Sequence, residues 1–176
     1  MTCIIALEHA GKVWMGGDSA AVAGWDIQKT ANRKVFVVGD FLIGYTSSFR
    51  MGQLLQYHLD VPENNQDDDL RYLVTKFIPA VRECLRQGGY TKMENNQESA
   101  GFFLVGYRGR AYKICDDFQI LRSMDGFVAV GYGESNALGA LAALDVQNPE
   151  QAIKRALEIA GRFSVQVCEP YYVLSL

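Results

Sequence analysis

Three residues in the N-terminal part of the chain could together activate a hydroxyl nucleophile. Thr2 follows the initiator Met1, Asp18 follows the glycine pair 16–17, and Lys34 begins an apolar segment. A threonine hydroxyl is a weak nucleophile that needs a base nearby. Once Met1 is removed, the α-amino group of Thr2 can be that base, directly or through a water, because the reference pKa of an α-amine is about 7.7–8.0. Such a site would work without a histidine.

Lys34 and Asp18 suit supporting roles in this chemistry. An ammonium group beside the Thr2 hydroxyl would lower the pKa of that hydroxyl and favour loss of its proton. The Asp18 carboxylate would pair with Lys34 and hold it charged and oriented. Taken singly, Lys34 also reads as a surface lysine and Asp18 as a turn residue. Cys3 is an alternative nucleophile, but side chains alternate along a strand, so we expect Cys3 to face away from Thr2.

Sequence patterns place these residues on a chain of mixed strands and helices. Turn signals at 9–11 and 39–40 predict two opening β-hairpins. Segments 19–31 and 62–69 are expected to be loops, and 92–98 an exposed polar segment. The expected strands are 2–8, 12–17, 34–38, 41–46, 101–107, 111–115, 119–122, 126–131 and 163–174. The expected helices begin near Phe49 and cover 69–86, 134–145 and 149–161.

This order of elements predicts an α+β fold. Four strands, two helices, three or four strands, two helices and a last strand fit a four-layer αββα sandwich, in which two antiparallel sheets stack between pairs of helices. The sequence shows no internal repeat and no linker. Residues 1–176 are therefore expected to form a single domain of ordinary size.

Composition argues against nucleic-acid and membrane partners. Hydrophobic residues make up 49% of the chain and charged residues 21%, as in globular proteins. The net charge of -3 and the absence of a basic block offer no attraction to nucleic acid or acidic lipid. No apolar run approaches the roughly 18 residues that span a bilayer, and no signal peptide is evident. The four scattered cysteines form no zinc pattern and read as thiols in a reducing cytoplasm.

The ordered motifs of the N-terminal region resemble those of proteasome β subunits and bacterial HslV, which are threonine peptidases of the N-terminal-nucleophile (Ntn) hydrolase superfamily. The motifs are Thr2 before an apolar strand, Gly11-Lys12-Val13, Gly17-Asp18-Ser19-Ala20, Arg33-Lys34-Val35 and Phe41-Leu42-Ile43-Gly44. The resemblance continues in Val130-Gly131-Tyr132-Gly133 and in the two helices that follow. It therefore spans nearly the whole chain and implies the Ntn-hydrolase fold and endopeptidase activity.

The resemblance also implies roles for residues near the first helix. A tetrahedral oxyanion needs fixed N–H donors. A gap-free count from Lys34 assigns this donor to the amide of Ser48, where family members usually have glycine. Ser47 and Ser48 also read as helix caps, and both readings can hold together. Thr46 would line the pocket for the side chain that precedes the cut bond, where a small neutral residue permits apolar side chains.

One departure from the proteasome pattern lies in the turn near the α-amine. Proteasome β subunits carry Gly-Ser-Gly in this turn, whereas this chain reads Gly131-Tyr132-Gly133. A tyrosine hydroxyl donates and accepts like that of serine but lies much farther from its backbone. Three alternatives follow: Tyr132 points elsewhere, Ser135 takes the role of the serine, or the site is impaired.

A second departure lies near the C-terminus. The positions that carry aspartate and serine in proteasomes correspond here to Ser164 and Val167, and HslV also lacks that aspartate. In HslV-like proteins, backbone carbonyls three residues apart in this segment bind a monovalent cation. Gly161, Ser164 and Val167 have that spacing. The resemblance thus implies a structural monovalent cation and no required cofactor.

The resemblance implies an assembly and leaves two alternatives open. It implies a homo-oligomeric ring, with a dodecamer of two stacked rings as one arrangement. Because the chain has no ATP-binding glycine-rich lysine motif, an AAA+ ATPase unfoldase would be a separate protein. Only Met1 precedes Thr2, so routine methionine removal is expected in place of self-cleavage. The alternatives are an inactive ring or scaffold subunit, which would have no evident reason to keep Thr2, Asp18 and Lys34 together, and an Ntn amidohydrolase acting on a small amide.

Overall fold

The computed structural model of the protein describes residues 2–65 and 68–176. The expected removal of Met1 and part of the loop expected at 62–69 lie outside the described residues. The strands are β1 (Cys3–His9), β2 (Lys12–Gly17), β3 (Ala20–Ala23), β4 (Asp26–Lys29), β5 (Val35–Val38), β6 (Phe41–Tyr45), β7 (Lys92–Glu94), β8 (Gln97–Ser99), β9 (Phe103–Tyr107), β10 (Arg110–Ile114), β11 (Ile120–Leu121), β12 (Phe127–Gly131) and β13 (Tyr172–Ser175). The helices are α1 (Phe49–Tyr57), α2 (Asp69–Tyr72), α3 (Ile78–Gln87), α4 (Glu134–Ala143) and α5 (Pro149–Phe163), and a π-helical segment, Leu73–Phe77, joins α2 to α3.

Two antiparallel sheets form the middle layers of the molecule. The first has the strand order β12-β1-β2-β13 and the second the order β11-β10-β9-β6-β5. Helices α4 and α5 pack on the first sheet, and α1 to α3 pack on the second. The predicted four-layer αββα sandwich is confirmed. None of the described helices is long and apolar enough to cross a membrane.

Strand β1 is an inner strand of the first sheet, and both of its faces are buried. Ile4 and Ala6 face the second sheet, while Cys3, Ile5 and Leu7 pack against the α4–α5 layer. A strand buried on both sides reads as a continuous apolar run, which is the pattern of residues 3–7. The alternation fixes the direction in which each residue near the N-terminus points.

Two glycines let neighbouring elements approach the end of β2 closely. A Cβ added at Gly17 would lie 2.6 Å from the Ile4 side chain, and one added at Gly16 would collide with Ile153 of α5. Any larger residue would push the first sheet away from its neighbours at this point. The glycine pair therefore fixes the position of Asp18, the next residue along the chain.

The expected loop at 19–31 contains a β-hairpin, so that prediction was wrong, whereas the segment 92–98 is exposed as expected except at Glu98. Segment 19–31 holds β3 and β4, and the exposed segment forms a second hairpin from β7 and β8, which extends to Ser99. Strands β4 and β7 are exposed along their whole length. Without a buried face, no hydrophobic alternation marks such strands in the sequence.

The expected strand at 163–174 was also largely wrong. Helix α5 continues to Phe163, and only Tyr172–Ser175 pairs in the sheet, next to β2. The intervening residues have strand-like composition but bond outside a ladder, as when the Cys168 carbonyl accepts a hydrogen bond from the Ser19 amide at 2.9 Å. Pro170 has no N–H to give to a sheet. The four expected helices are present.

Candidate active site

Thr2, Asp18 and Lys34 meet at one edge of the sandwich, although 32 positions separate the first from the last. Thr2 precedes β1, Asp18 follows β2, and Lys34 precedes β5 of the other sheet. All three are buried, with 3%, 2% and 3% of their surface exposed. The Nζ atom of Lys34 donates to Thr2 Oγ1 at 2.5 Å and to Asp18 Oδ1 at 3.0 Å. The structure thus brings Lys34 into direct contact with both Thr2 and Asp18.

The ammonium group of Lys34 has an acceptor for each of its three protons. Besides Thr2 and Asp18, it donates to the carbonyl of Ala20 at 2.7 Å. Burial lowers the pKa of Lys34 below its ordinary value, and the Asp18 carboxylate opposes that shift. The carboxylate thus favours the charged form that a deprotonated Thr2 hydroxyl would need beside it.

Asp18 joins several parts of the fold. Its Oδ1 atom also accepts a hydrogen bond from the Cys3 amide at 3.0 Å, and Oδ2 accepts one from the Ala20 amide at 2.8 Å. The side chain has no solvent exposure. A buried carboxylate is tolerated only when it is paired and hydrogen-bonded, and this one satisfies both conditions. Asp18 therefore stabilises the local fold, by binding the amides of Cys3 and Ala20, in addition to pairing with Lys34.

Cys3 lies on the opposite face of β1, as strand alternation predicts. The thiol is fully buried in the cluster formed with α4 and α5. Burial, followed by the nearby Asp18 carboxylate, raises the pKa of Cys3 to about 12. The thiolate is the nucleophilic form of cysteine, so this residue is poorly suited to attack at neutral pH.

The turn between β6 and α1 gives its two serines different positions. The Oγ atom of Ser48 accepts a hydrogen bond from the Arg50 amide at 3.1 Å and caps α1. The backbone N–H of Ser48 donates to the Thr46 carbonyl at 2.9 Å. Ser47 has a φ of 71°, and its N–H has no hydrogen-bond acceptor among the described residues. The amide without an acceptor in the described part of the chain is therefore one residue earlier than Ser48, to which the count along the chain assigned the oxyanion donor.

The left-handed backbone of Ser47 makes glycine the better residue there. We expect Ser47→Gly to raise the free energy of unfolding by up to about 1 kcal/mol, because relief of the left-handed strain exceeds the entropy cost of glycine. Urea unfolding followed by tryptophan fluorescence measures the change. The matched variant Ser48→Ala removes the helix cap and should lower stability by about 1 kcal/mol. Destabilisation by Ser47→Gly would contradict the left-handed conformation.

Two cavities flank the turn at 46–48. The first, here the Phe49 cavity, has a volume of about 670 Å³, and the Phe49 ring centroid lies 6.0 Å from Lys34 Nζ. Its lining residues include Arg33, Phe36, Tyr45, Phe49, Gln53 and Tyr57. The second, here the Tyr132 cavity, has a volume of about 490 Å³. It is lined by Thr46, Ser47, Phe102, Gly131, Tyr132 and Glu134. Thr46 thus lines a cavity beside the candidate nucleophile.

The glycine-rich turn at 131–133 packs against the backbone of Thr2. Gly131 has a φ of 100°, and any Cβ there would collide with the Thr2 carbonyl oxygen. The same oxygen lies 3.5 Å from the amide of Gly133, which donates to it. Tyr132 is 67% exposed and Ser135 is also exposed, so neither side chain is buried beside Thr2.

Comparison with known proteins gives matches among solved structures. Thiobacillus denitrificans BPH in complex with epoxomicin has a TM-score of 0.81 at 18% identity, and the match covers 99% of this chain and 98% of that one. Eukaryotic HslV from Trypanosoma brucei has a TM-score of 0.71 at 19% identity, with 99% of each chain covered. The chain has the fold of HslV and proteasome-like proteins. Anbu, the ancestral beta-subunit from Yersinia bercovieri, has a TM-score of 0.70 at 14% identity, and the match covers 99% of this chain and 81% of that one. No protein-family model and no curated protein matches the sequence.

The proteasome-like fold also brings together the segment expected to hold a monovalent cation. A Cβ at Gly161 would lie 3.1 Å from the Val167 carbonyl oxygen, so these two positions are adjacent. The Ser164 carbonyl accepts a hydrogen bond from the Val167 amide at 3.2 Å. Within residues 2–65 and 68–176, no group of three or more His, Cys, Asp or Glu side chains could hold a metal ion. The carbonyl site itself stays a prediction.

Two contacts of the site were missed by sequence reasoning. The Ser19 hydroxyl donates to the Pro170 carbonyl at 2.5 Å, across 151 positions of sequence, and fastens the segment after Asp18 to the C-terminal region. Lys113 donates to Glu134 at 2.5 Å, from β10 of one sheet to the first residue of α4. Single charged or hydroxyl residues carry no pattern in the sequence that identifies such distant partners.

Proposed function

We propose that this chain is an N-terminal-threonine endopeptidase whose nucleophile is the hydroxyl of Thr2. The observation that carries the proposal is the hydrogen bond of 2.5 Å between Lys34 Nζ and Thr2 Oγ1, inside a buried ion pair with Asp18. A lysine exposed at the surface would not be held between a buried threonine hydroxyl and a buried carboxylate. The proteasome-like fold supports the same assignment, because its solved examples include an HslV.

In the proposed reaction, each residue of the site acts at a defined step. With Met1 removed, the α-amino group of Thr2 takes the hydroxyl proton while Oγ1 attacks the peptide carbonyl. Lys34 stabilises the developing negative charge on Oγ1, and the N–H of Ser47 donates to the oxyanion. The α-amine then passes the proton to the leaving amine, and the acyl group remains on Oγ1 as an ester. Attack by water releases the second product and restores the hydroxyl.

The proposed enzyme works as a subunit of a larger assembly. A protease without a closed chamber would attack other proteins of its cell, so we propose a homo-oligomeric ring, with a dodecamer as one arrangement. A separate AAA+ unfoldase would supply unfolded chains, and the cytoplasm is the proposed location. The chain is proposed to act as one Ntn-hydrolase domain with no required cofactor.

The main alternative is an inactive ring subunit. The exposed Tyr132 in place of the turn serine favours it, and so does the structural use of Asp18, which gives a scaffold a reason to keep the ion pair. The two functions differ in the state of the N-terminus. An enzyme needs a free α-amine on Thr2, whereas a scaffold does not.

The test is the intact mass of the purified protein before and after incubation with epoxomicin, the ligand present in the BPH complex. We expect a chain that lacks Met1 and gains one epoxomicin per subunit. Heat-unfolded protein is the control and should gain none, because the reaction depends on the folded site. A chain that retains Met1 and forms no adduct would favour the scaffold alternative.

A further inference from the structure

The Tyr132 cavity has one acidic wall. Of its lining residues, Glu134 is the only acidic one and none is basic. Thr46, Ser47 and Tyr132 contribute hydroxyl groups, and Phe102 contributes an apolar surface. A cavity with an apolar side, several acceptors and a carboxylate suits a side chain with a long apolar stem and a cationic end.

Glu134 is held in place from outside the cavity. Its Oε1 atom accepts a hydrogen bond from Lys113 Nζ at 2.5 Å, and its Oε2 atom receives none from the described residues. The Glu134 side chain is 32% exposed and that of Lys113 only 18%. Lys113 lies 5.9 Å from the Phe102 ring centroid but does not line the cavity. The ammonium therefore orients the carboxylate and leaves one of its oxygens for a ligand.

The position of the cavity identifies the part of the substrate that enters it. The turn at 131–133 contacts the carbonyl group of Thr2, whereas Lys34 lies beside the Thr2 hydroxyl. In the proposed reaction, the α-amine of the same residue delivers the proton to the leaving amine. We therefore assign the leaving half of the substrate to the side of the Tyr132 cavity, away from Lys34.

We propose that Glu134 selects a lysine or arginine as the substrate residue that follows the cut bond. The inference rests on the proposed function. The aliphatic stem packs on Phe102, the cationic end binds the free carboxylate oxygen, and the Tyr132 ring offers a cation–π face. Thr46 then lines the subsite after the cut bond, whereas the resemblance implied the subsite before it.

The test compares quenched peptides that differ only in the residue after a mapped cleavage site: lysine, norleucine or glutamate. We expect wild-type kcat/KM to fall in that order. Glu134→Gln should lower the lysine-to-norleucine ratio by about fivefold to tenfold, the effect of one partly exposed charged hydrogen bond. Lys113→Met should raise the ratio, because the carboxylate loses its competing cation. A purely structural role of the pair would change all three peptides equally.

A matched control has the same chemical change at a residue that does not line the cavity. Glu150 pairs with Lys154 at 2.7 Å on α5, and Glu150→Gln should leave the ratio as in the wild type. If the wild type forms the epoxomicin adduct and cleaves peptides, the proposed function stands. An equal lysine-to-norleucine ratio in the wild type and in Glu134→Gln would then overturn only the inference about Glu134. A wild type that does neither overturns the proposed function and this inference with it.

Discussion

Thr2→Ala is expected to abolish peptide cleavage, with kcat/KM lowered by at least about a thousandfold. The variant keeps a free α-amine but has no hydroxyl to form the ester. Alanine, like threonine, is small enough after Met1 to allow removal of the methionine. The intact mass of the variant verifies this removal. Cleavage of a quenched peptide measures the loss, and the epoxomicin adduct should disappear with it.

Two further variants show whether the effect belongs to the hydroxyl. Thr2→Ser keeps the hydroxyl on the same backbone and should retain measurable cleavage. Cys3→Ala removes the neighbouring thiol and should remain active, because the raised pKa of that thiol leaves it protonated. Wild-type activity in Thr2→Ala, or its loss in Cys3→Ala alone, would exclude Thr2 as the nucleophile.

Lys34→Met is expected to have two large effects. The first is a fall in kcat/KM of at least about a hundredfold, because no cation remains to stabilise the deprotonated Thr2 hydroxyl. The second is a loss of about 3–5 kcal/mol in the free energy of unfolding, because the buried carboxylate of Asp18 loses its partner. Peptide cleavage and urea unfolding measure them separately.

The double variant Lys34→Met with Asp18→Asn separates the two effects. An uncharged amide costs less to bury than an unpaired carboxylate, so part of the lost stability should return. Cleavage should not return, since the cation is still absent. If restoring stability also restored cleavage, Lys34 would act only through the fold.

The sequence predicted the features that depend on regular patterns. The buried run of β1 and the order of strands and helices predicted the αββα sandwich, because alternation and strand ends are properties of the local chain. The meeting of Thr2, Asp18 and Lys34 was predicted by the chemistry of these residue types together with the resemblance of the ordered motifs.

Features that depend on single conformations or distant contacts were not predictable. The count to Ser48 gave no information on the left-handed backbone of Ser47, which decides which amide stays open. The pairing of Lys113 with Glu134 joins positions 21 apart on different layers, and no periodic signal marks it. The exposed strand β4 has no buried face to produce alternation.

The hydrogen bonds of Asp18 have a consequence for the evolution of such chains. Its carboxylate fastens the start of β1, the start of β3 and Lys34 to one another. A descendant that gave up cleavage would still need this fastening to fold, so selection would preserve Asp18 and Lys34 long after activity was lost. The side chain of Thr2, the proposed nucleophile, accepts one hydrogen bond from Lys34 and joins no strand, so selection on folding constrains it less. In a set of descendants, loss of the threonine should therefore precede loss of the ion pair.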